Sequence, residues 1–390
     1  MNTKLYFILL AALFSTTTVR AKNDIINIEK TGEAARPIPV LMSGFTGEVD
    51  SVLRFDLYVS GFEFVAADKA QYVISGKNSA TLEGRVMDAI NKSMVLKPMS
   101  YNVGSPRSQA HALANDIIFA LTQKKGIAQT QIAFKVTHGS VSEIYVADYD
   151  GHNAAAVTQD SSLVSAPAWM PGQQKLFYSS WKAGSPHIYS HDLKARTRQS
   201  FSSYPGSNFS PAISPDGQRV AMILSKNGSP DLYVCAINGS NLKQLTQSKE
   251  DKSSPCWSPN NQTICYVSRE GGRPGLYTIS IEGGTARRLQ TSGVFSATEP
   301  DWSPDGKNII FTTQRGATNF EICLVPAAGG SATALGVTGE DPSWAPNSRA
   351  IIFTNRKNHQ RGLSVLDVPT KHVKDIAQIS GNSSQPSWAK

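Results

Sequence analysis

The chain has 390 residues, of which 40% are apolar and 17% charged, a balance that excludes a disordered protein and allows two or three folded domains. The net charge of +8 falls to +6 without residues 1–21, which hold Lys4 and Arg20 and no acidic residue. No dense block of Lys and Arg with interleaved aromatic residues occurs, so nucleic-acid binding is disfavoured.

Residues 1–21 have the pattern of an export signal. Lys4 precedes an apolar run over residues 5–14, and Ala21 is a small residue at which a signal peptidase would cut. The run is shorter than the roughly 20 residues that a membrane-spanning helix needs. We therefore predict a signal peptide cleaved near Ala21, an exported chain and no direct membrane insertion. The alternative is a buried N-terminal helix.

Residues 22–128 contain no repeat and predict a small α/β domain. Residues 36–42 predict a strand whose prolines favour an edge or an entry position. Residues 47–58 have apolar side chains near helical spacing and predict a first helix, which Gly61 follows. Three further extended runs predict a short antiparallel meander, over residues 71–75, 81–89 and 93–103.

A second helix is predicted from Ser105, which would act as the N-cap, with Pro106 at the first helical position. Its predicted apolar face consists of Ala110, Leu113, Ala114, Ile117 and Leu121. The sequence Lys124-Lys125-Gly126 predicts the end of this helix, with positive charge at the carbonyl end and glycine just past it.

From Thr130 onward the sequence repeats. A Trp, or Ile once, recurs at separations of 44, 44, 45, 42 and 44 residues, and a proline precedes each by two positions. The six marker positions are Trp169, Ile213, Trp257, Trp302, Trp344 and Trp388. Turns such as Ser303-Pro304-Asp305-Gly306 follow most of them, and β-branched or aromatic strands follow the turns.

Four strands in a unit of about 44 residues are typical of a β-propeller blade. The region begins at Ile132 with a second-strand sequence and ends at Trp388 with a first strand, so its two ends complete one blade. We predict an all-β six-bladed β-propeller over residues 129–390, preceded by the small α/β domain. The C-terminal strand pairs into the first blade and closes the ring, which removes exposed strand edges.

No catalytic or cofactor signature is found, and the sequence predicts a protein that is not an enzyme and needs no cofactor or metal. A Gly-x-Ser-x-Gly elbow, a His-Glu-x-x-His pair and phosphate or dinucleotide loops do not occur. His187 and His191 stand four apart on a predicted strand, where that spacing builds no compact metal site. Cys256 and Cys265 flank one turn and either form a cross-strand disulfide or remain separate buried thiols.

The segments just before each Pro-x-Trp are the candidate binding site. In a six-bladed ring these segments converge around the central channel, where we predict a ring of mostly small, polar loops. Lys252 would be opposed there by Glu299, Glu340 and Asp341. Such a ring suits a peptide or protein ligand bound through hydrogen bonds. The alternative is a solvated ring of loops without a ligand.

The chain resembles the TolB family of periplasmic propeller proteins of the Tol-Pal system over nearly all of its mature length. Residues 146–153, Val-Ala-Asp-Tyr-Asp-Gly-His-Asn, carry the most specific resemblance. The other matching pieces, besides the six repeats, are residues 35–38, residues 101–103, Ala112 with Asn115 and Asp116, residues 125–128 and residues 130–134.

The resemblance implies a non-enzymatic, monomeric periplasmic scaffold that supports outer-membrane integrity and cell division. It would bind a Pal-like outer-membrane lipoprotein through the propeller face and a TolA-like inner-membrane protein through its N-terminus. Together with the channel segments, this gives the predicted partner-binding residues Ser207, Asn208, Phe209, Ser210, Lys252, Ser253, Ser254, Glu299, Glu340, Asp341 and Gln385. The N-terminal partner segment would be Lys22, Asn23, Asp24, Ile25, Ile26, Asn27 and Ile28.

Two other functions remain open at this point. The chain could be an accessory subunit or remnant of a propeller exopeptidase, because similar Pro-Asp-Gly repeats precede the hydrolase domain of such enzymes. It could also be a propeller that binds a peptide or sugar without Tol partners.

Overall fold

The computed structural model describes residues 34–79, 81–316, 319–357, 360–377 and 380–390. The predicted signal peptide (residues 1–21) and the predicted N-terminal partner segment (residues 22–28) lie outside the described residues. Strands make up most of the regular structure, and none of the described helices is long and apolar enough to cross a membrane.

The N-terminal part contains a mixed five-stranded sheet and two helices. Its elements are β1 (Ile38–Ser43), α1 (Gly47–Tyr58), β2 (Phe62–Phe64), β3 (Tyr72–Asn78), β4 (Leu82–Asp88), β5 (Met94–Tyr101) and α2 (Pro106–Thr122). The strand order is β2-β1-β3-β4-β5. Strand β1 pairs in parallel with β2 and β3, and β3, β4 and β5 form the predicted antiparallel meander.

The prediction that the prolines favour an edge or an entry position is met by Pro37 and not by Pro39. Pro37 stands at the entry to β1, but Pro39 lies inside this interior strand. The pairing of β1 with β3 begins only at Val40, so the missing N–H of Pro39 leaves no gap in that ladder. The Pro39 carbonyl accepts a hydrogen bond from Gln71 N at 2.9 Å.

Helix α2 begins as predicted and ends differently. The Ser105 hydroxyl accepts a hydrogen bond from Ser108 N at 3.2 Å, and Pro106 is the first helical residue. Gln123 ends the helix with a left-handed φ of 57°, and its N–H bonds to Phe119 O. The prediction that Gly126 caps the helix is therefore wrong, and Lys124 with Lys125 lies beyond the last turn rather than in it.

The rest of the chain forms six four-stranded blades, which confirms the predicted propeller. The closing blade, called blade 6, contains β6 (Gln131–His138), β7 (Val141–Asp148) and β8 (Ala155–Ala156) and is completed by the last strand. Blade 1 is β9 (Val164–Trp169), β10 (Lys175–Ser180), β11 (His187–Asp192) and β12 (Thr197–Ser202). Blade 2 is β13 (Asn208–Ile213), β14 (Arg219–Leu224), β15 (Asp231–Ala236) and β16 (Lys243–Gln244).

Blades 3 to 5 follow the same plan. Blade 3 is β17 (Lys252–Trp257), β18 (Thr263–Ser268), β19 (Gly275–Ser280) and β20 (Arg287–Arg288). Blade 4 is β22 (Thr298–Trp302), β23 (Asn308–Gln314), β24 (Phe320–Pro326) and β26 (Thr333–Thr338). Two short strands lie outside it: β21 (Thr291–Ser292) precedes the blade, and β25 (Gly330–Ser331) lies between β24 and β26. The short strands β21 and β25 pair with each other in parallel. Blade 5 is β27 (Glu340–Trp344), β28 (Ala350–Lys357), β29 (Gln360–Asp367) and β30 (Val373–Asp375).

The last strand, β31 (Asn382–Trp388), closes the ring in the predicted way. It pairs antiparallel with β6, placing Trp388 opposite Ile132 and Ser383 opposite Val136. Blade 6 therefore takes its innermost strand from the end of the chain and its other three from the start of the repeat region.

One hydrophobic cluster joins the N-terminal part to blades 5 and 6. It contains Leu53 and Leu57 of α1 and Leu113 and Ile117 of α2 together with blade residues such as Trp388. The other side chains of the blades pack in separate clusters between neighbouring blades. Two ends of the channel can be distinguished: the turn face carries the turns that follow the first five marker positions, and the bulge face lies at the opposite ends of the inner strands.

Candidate functional site

A ring of six left-handed residues surrounds the channel near the bulge face. The innermost strand of each blade contains a β-bulge three positions before its marker residue. The residues there have φ between 48° and 52°, although none is glycine. We call them the bulge ring: Ala166, Ser210, Ser254, Glu299, Asp341 and Gln385. The inner strands of neighbouring blades contact one another all the way round, so the ring encircles the channel.

Hydrogen bonds from one blade to the next hold half of this ring. Glu299 Oε2 accepts from Asp341 N at 2.9 Å, and Asp341 Oδ2 accepts from Gln385 N at 3.1 Å. Gln385 Oε1 then accepts from Ala166 N at 3.0 Å. Strained left-handed residues persist only where their surroundings fix them, and these side chains fix the backbone of the following blade.

At Ala166, which is too short to reach the next blade, another side chain takes this role. Ser210 N donates to the hydroxyl of Ser179 in blade 1, at 3.2 Å, because Ala166 has no polar group. Four of the six backbone N–H groups of the ring therefore donate to a side chain of a neighbouring blade. The ring can offer hydrogen bonds to a partner, and it contains no nucleophile paired with a base.

Two carboxyl groups are neighbours in the ring. Burial raises the pKa of Glu299 to about 7, and the charge of Asp341 adds to this shift. The hydrogen bonds from Asp341 N and from Thr312 Oγ1, the latter at 2.7 Å, act in the opposite direction. The channel wall thus carries a carboxyl group that changes charge near neutral pH.

The predicted loop segments are part of the inner strands, which corrects the expectation of a ring of loops. Lys252 is buried, and its Nζ bonds to Ser248 Oγ and to the carbonyl of Glu250, both at 2.5 Å. Its ion-pair partner is Glu270 of its own blade, at 3.1 Å. Lys252 therefore does not oppose the acidic residues across the channel.

Glu340 also departs from the prediction. It is buried and forms ion pairs with Arg356 at 2.7 Å and Arg361 at 3.1 Å, both on strands of blade 5. The proposed opposition between Lys252 and the acids Glu299, Glu340 and Asp341 is therefore wrong. The charges of Lys252 and Glu340 are each neutralised by ion pairs within their own blades, because burying an unpaired charge is costly.

The remaining predicted residues lie at or beside the bulge-face ends of the inner strands, at different depths. Asn208 is fully buried and bonds to Tyr204 O at 2.7 Å and to Ser202 Oγ at 2.8 Å, so it holds a turn. The half-buried members are Ser207, Phe209, Ser210, Ser253, Ser254, Glu299, Asp341 and Gln385. These eight, and not Asn208, Lys252 or Glu340, have surface to offer a partner.

A cavity of about 470 Å³ occupies the turn-face end of the channel. Six prolines that precede the marker positions line it: Pro167, Pro211, Pro255, Pro300, Pro342 and Pro386. Four of the marker tryptophans, Cys256, Asp301 and Lys390 are also part of its wall. The sequence indicated a binding site only at the other end of the channel. The recurrent proline was the available signal for this cavity.

A buried polar cluster connects the helices to the turn between β7 and β8. Asp56 of α1 accepts from Tyr149 OH and lies 2.7 Å from Nδ1 of His111, on α2. Arg107 of α2 forms an ion pair with Asp150. Burial alone would lower the pKa of His111, but Asp56 and Asp150 outweigh it and raise this pKa. Burial raises the pKa of Asp56.

This cluster was not predicted from the sequence. Its signal was present, because Tyr149 and Asp150 lie in the stretch that carries the most specific family resemblance. Among the residues that the structure describes, no three His, Cys, Asp or Glu side chains lie close enough to hold a metal ion.

The fold and the bulge ring define the class of protein: a six-bladed propeller that follows a small α/β region. The TolB beta propeller domain matches residues 119–390, which is more than half of the chain. This chain therefore belongs to the TolB beta propeller domain family.

Individual relatives agree with this assignment. The Tol-Pal system protein TolB of Haemophilus ducreyi is 29% identical over 233 residues, 50% of this chain and 54% of that protein. The protein of the same name from Histophilus somni strain 129Pt is 31% identical over 244 residues, 52% of this chain and 56% of that protein. The chain thus spans about half the length of the curated relatives it matches.

The fold also has a match among solved structures. TolB from Acinetobacter baumannii has a TM-score of 0.81 and 23% identity, covering 91% of this chain and 97% of that one. At this level of identity the match concerns the fold.

Proposed function

We propose that this chain is a non-enzymatic, monomeric periplasmic scaffold of the Tol-Pal system. It binds a Pal-like outer-membrane lipoprotein through the bulge face and a TolA-like inner-membrane protein through residues 22–28, and so supports outer-membrane integrity and cell division. The observation that carries the proposal is the family match over residues 119–390, joined to relatives named Tol-Pal system protein TolB. The α/β domain comprises residues 22–128 and the propeller residues 129–390.

The bulge face has the character of a protein-binding surface. Its eight half-buried residues are mostly small and polar, and Phe209 adds an aromatic side chain, a residue type enriched at interfaces. The left-handed residues hold this surface in a fixed shape, so a partner can bind without ordering it first.

The first experiment is a binding assay with the purified chain and a purified Pal-like lipoprotein from the same envelope. Charge reversal at Lys252 or Glu340 is unsuitable, because these residues are buried members of ion pairs. Ser207→Arg places a large charged side chain on the bulge face of blade 2 instead. Gln218→Arg is the matched control, since Gln218 is an exposed residue on the turn face of the same blade.

We expect the parent chain and Gln218→Arg to bind the lipoprotein equally, and Ser207→Arg to bind at least 10-fold more weakly. No binding by the parent chain would remove the main support for the scaffold. Equal binding by all three proteins would move the contact away from the bulge face.

The second experiment separates the two partners. A chain lacking residues 22–28 should lose binding to a TolA-like protein and keep binding to the lipoprotein. The assignment of this segment would be contradicted if the shortened chain still bound both partners, or if it lost binding to the lipoprotein alone.

A further inference from the structure

Blade 3 differs from the other blades in the pair of residues that face each other beside its first turn. The position before each marker residue stands opposite a residue of the second strand. In blade 3 both positions are cysteine, Cys256 and Cys265. The corresponding pairs in the other blades are Ala168 with Phe177, Ala212 with Ala221, Asp301 with Ile310, Ser343 with Ile352 and Ser387 with Ala133.

The backbone geometry of this pair suits a covalent link. Ser258 N donates to Thr263 O at 2.9 Å, so Ser258 and Thr263 are a hydrogen-bonded pair of the ladder. Hydrogen-bonded and non-hydrogen-bonded pairs alternate along antiparallel strands, and Cys256 and Cys265 lie two positions away, so they are a hydrogen-bonded pair as well. The Cα atoms of such pairs lie about 5.5 Å apart, which is within the range that disulfides prefer.

Access to the pair comes from the central channel. Cys265 is fully buried, whereas Cys256 keeps 8% of its surface and lines the 470 Å³ cavity. Cys256 is therefore the member of the pair that forms part of the cavity wall, while Cys265 does not line the cavity. Both cysteines are free thiols in the structure.

We propose that Cys256 and Cys265 are a modification site, at which a disulfide oxidant converts the two thiols into a cross-strand disulfide. The oxidant is a small-molecule disulfide such as oxidised glutathione, or the active-site disulfide of a thiol oxidoreductase. The bond covalently links the two strands of blade 3 that are nearest the channel, β17 and β18.

The reaction is a pair of thiol–disulfide exchanges. The Cys256 thiolate attacks one sulfur of the oxidant, a mixed disulfide forms, and the first thiol of the oxidant leaves with a proton. The Cys265 thiolate then attacks the Cys256 sulfur and releases the second thiol. Two protein thiols are oxidised, one disulfide of the oxidant is reduced to two thiols, and two protons pass from the cysteines to the leaving groups.

The surroundings of Cys256 determine the rate of the first exchange step. The hydrogen bond with Cys265 and burial raise the pKa of Cys256 well above its usual value, so little thiolate is present at neutral pH. Exchange in the folded chain is therefore slow and accelerates as the pH rises. It is faster during folding, before the blade is packed.

Cys323 is the competing partner, because it belongs to the same hydrophobic cluster in the contact between blades 3 and 4. Cys235 lies in a different cluster, between blades 1 and 2. Trypsin separates these possibilities, since residues 253–269 contain both Cys256 and Cys265 and no internal Lys or Arg. Cys323 falls in the peptide of residues 316–349.

The test uses the purified chain, reduced and then exposed to oxidised glutathione in two ways, in the folded state and during refolding from denaturant. Free thiols are blocked with N-ethylmaleimide in denaturant before digestion and mass measurement. The peptide 253–269 should carry two maleimide groups after reduction. After oxidation it should carry none and be two hydrogens lighter than the free dithiol.

Variants complete the test. Cys323→Ser should still form the bond, whereas Cys256→Ser should leave Cys265 with one maleimide group. Oxidation should raise the melting temperature of the parent and of Cys323→Ser, and leave that of Cys256→Ser unchanged. A doubly modified peptide 253–269 after both oxidation routes, or a link from Cys265 to the peptide 316–349, would overturn the proposal.

Discussion

Lys390 Nζ lies 2.8 Å from Asp301 Oδ2, across the mouth of the channel cavity and two blades away in the ring. The same carboxylate oxygen accepts a hydrogen bond from the backbone N–H of Trp344, in the blade between them, at 2.7 Å. Asp301 thus joins three blades, while Lys390 contributes only a charge. The two residues of one ion pair should therefore have unequal effects on stability.

The first prediction compares Lys390→Ala with Asp301→Ala. Lys390→Ala should lower the free energy of unfolding by less than about 1 kcal/mol, because the lysine is partly exposed and screened by solvent. Asp301→Ala should cost about 1–3 kcal/mol, because Trp344 N loses its buried partner. Urea unfolding measures both values. Equal losses would show that the Trp344 contact adds nothing.

The second prediction concerns ring closure. A chain that ends at Ser383 loses most of β31, including the buried Trp388, which packs with the N-terminal helices. Removing a buried tryptophan side chain alone costs about 3–5 kcal/mol, and here the inner ladder of blade 6 is lost as well. The melting temperature should fall by more than that of Trp388→Ala in the intact chain. An unchanged melting temperature would argue against closure through β31.

The third prediction is a pH dependence that comes from the channel wall. The pKa of Glu299 is about 7 in the folded chain and about 4.5 when unfolded, so the folded chain holds this proton more tightly. The stability this provides is complete below pH 4.5 and is lost as the pH rises through 7. The free energy of unfolding of Glu299→Gln, relative to that of the parent, should rise by on the order of 1 kcal/mol from pH 5 to pH 8, because Gln does not titrate. Gln also keeps an acceptor for Asp341 N.

Thermal unfolding at both pH values checks this. Glu282→Gln is the control, since its side chain is 81% exposed, and it should follow the parent at both pH values. A constant difference between Glu299→Gln and the parent across this range would contradict the prediction.

The fourth prediction concerns the buried cluster beneath the helices. The neighbouring carboxylates of Asp56 and Asp150 raise the pKa of His111 above 6.5 despite burial. The stability that protonated His111 provides is therefore present below pH 6.5 and lost as the pH rises through the folded pKa. His111→Gln should destabilise the chain by about 1–3 kcal/mol at pH 5.5 and by less at pH 8.5.

Chemical denaturation at the two pH values measures the difference, and the exposed His138→Gln serves as the control. Equal destabilisation by His111→Gln at both pH values would mean that His111 stays neutral in the folded chain.

The sequence predicted the propeller because its strands are punctuated by residues with fixed backbone preferences. Pro304, Asp305 and Gly306 specify a turn by themselves: Gly306 has φ 76°, and Asp305 Oδ1 accepts from Ser303 Oγ at 2.6 Å. The marker residue, Trp302 in blade 4 and Trp in every other blade except for Ile213 in blade 2, then identifies the same place in each blade. These signals come from residues that are neighbours in the chain, so a single sequence is enough to recognise them.

The directions of the site side chains could not be predicted in the same way, because a bulge interrupts each inner strand. In blade 3 two residues, Ser254 and Pro255, oppose the single residue Tyr266. The alternation of side chains is thereby shifted by one, and residues before the bulge change face. Lys252 consequently turns into its blade. Nothing in a sequence around Ser254 marks a left-handed residue that is not glycine.

The buried cluster was missed for a different reason. Asp56 and Tyr149 are 93 positions apart, and their contact arises only when the helices pack on blade 6. Tyr149 lies in the stretch with the most specific family resemblance, but that stretch does not indicate which residue Tyr149 contacts, so only tertiary packing shows its pairing with Asp56.

The pairing of Trp388 with Ile132 has a consequence for how the chain reaches its native state. The two residues are 256 positions apart, since 388 minus 132 is 256, and no native ring exists before they meet. Folding rates fall as contacts become more distant in sequence. During synthesis, blades 1 to 5 can form one by one, but the first three strands of blade 6 must wait, with an open edge, until β31 has been made.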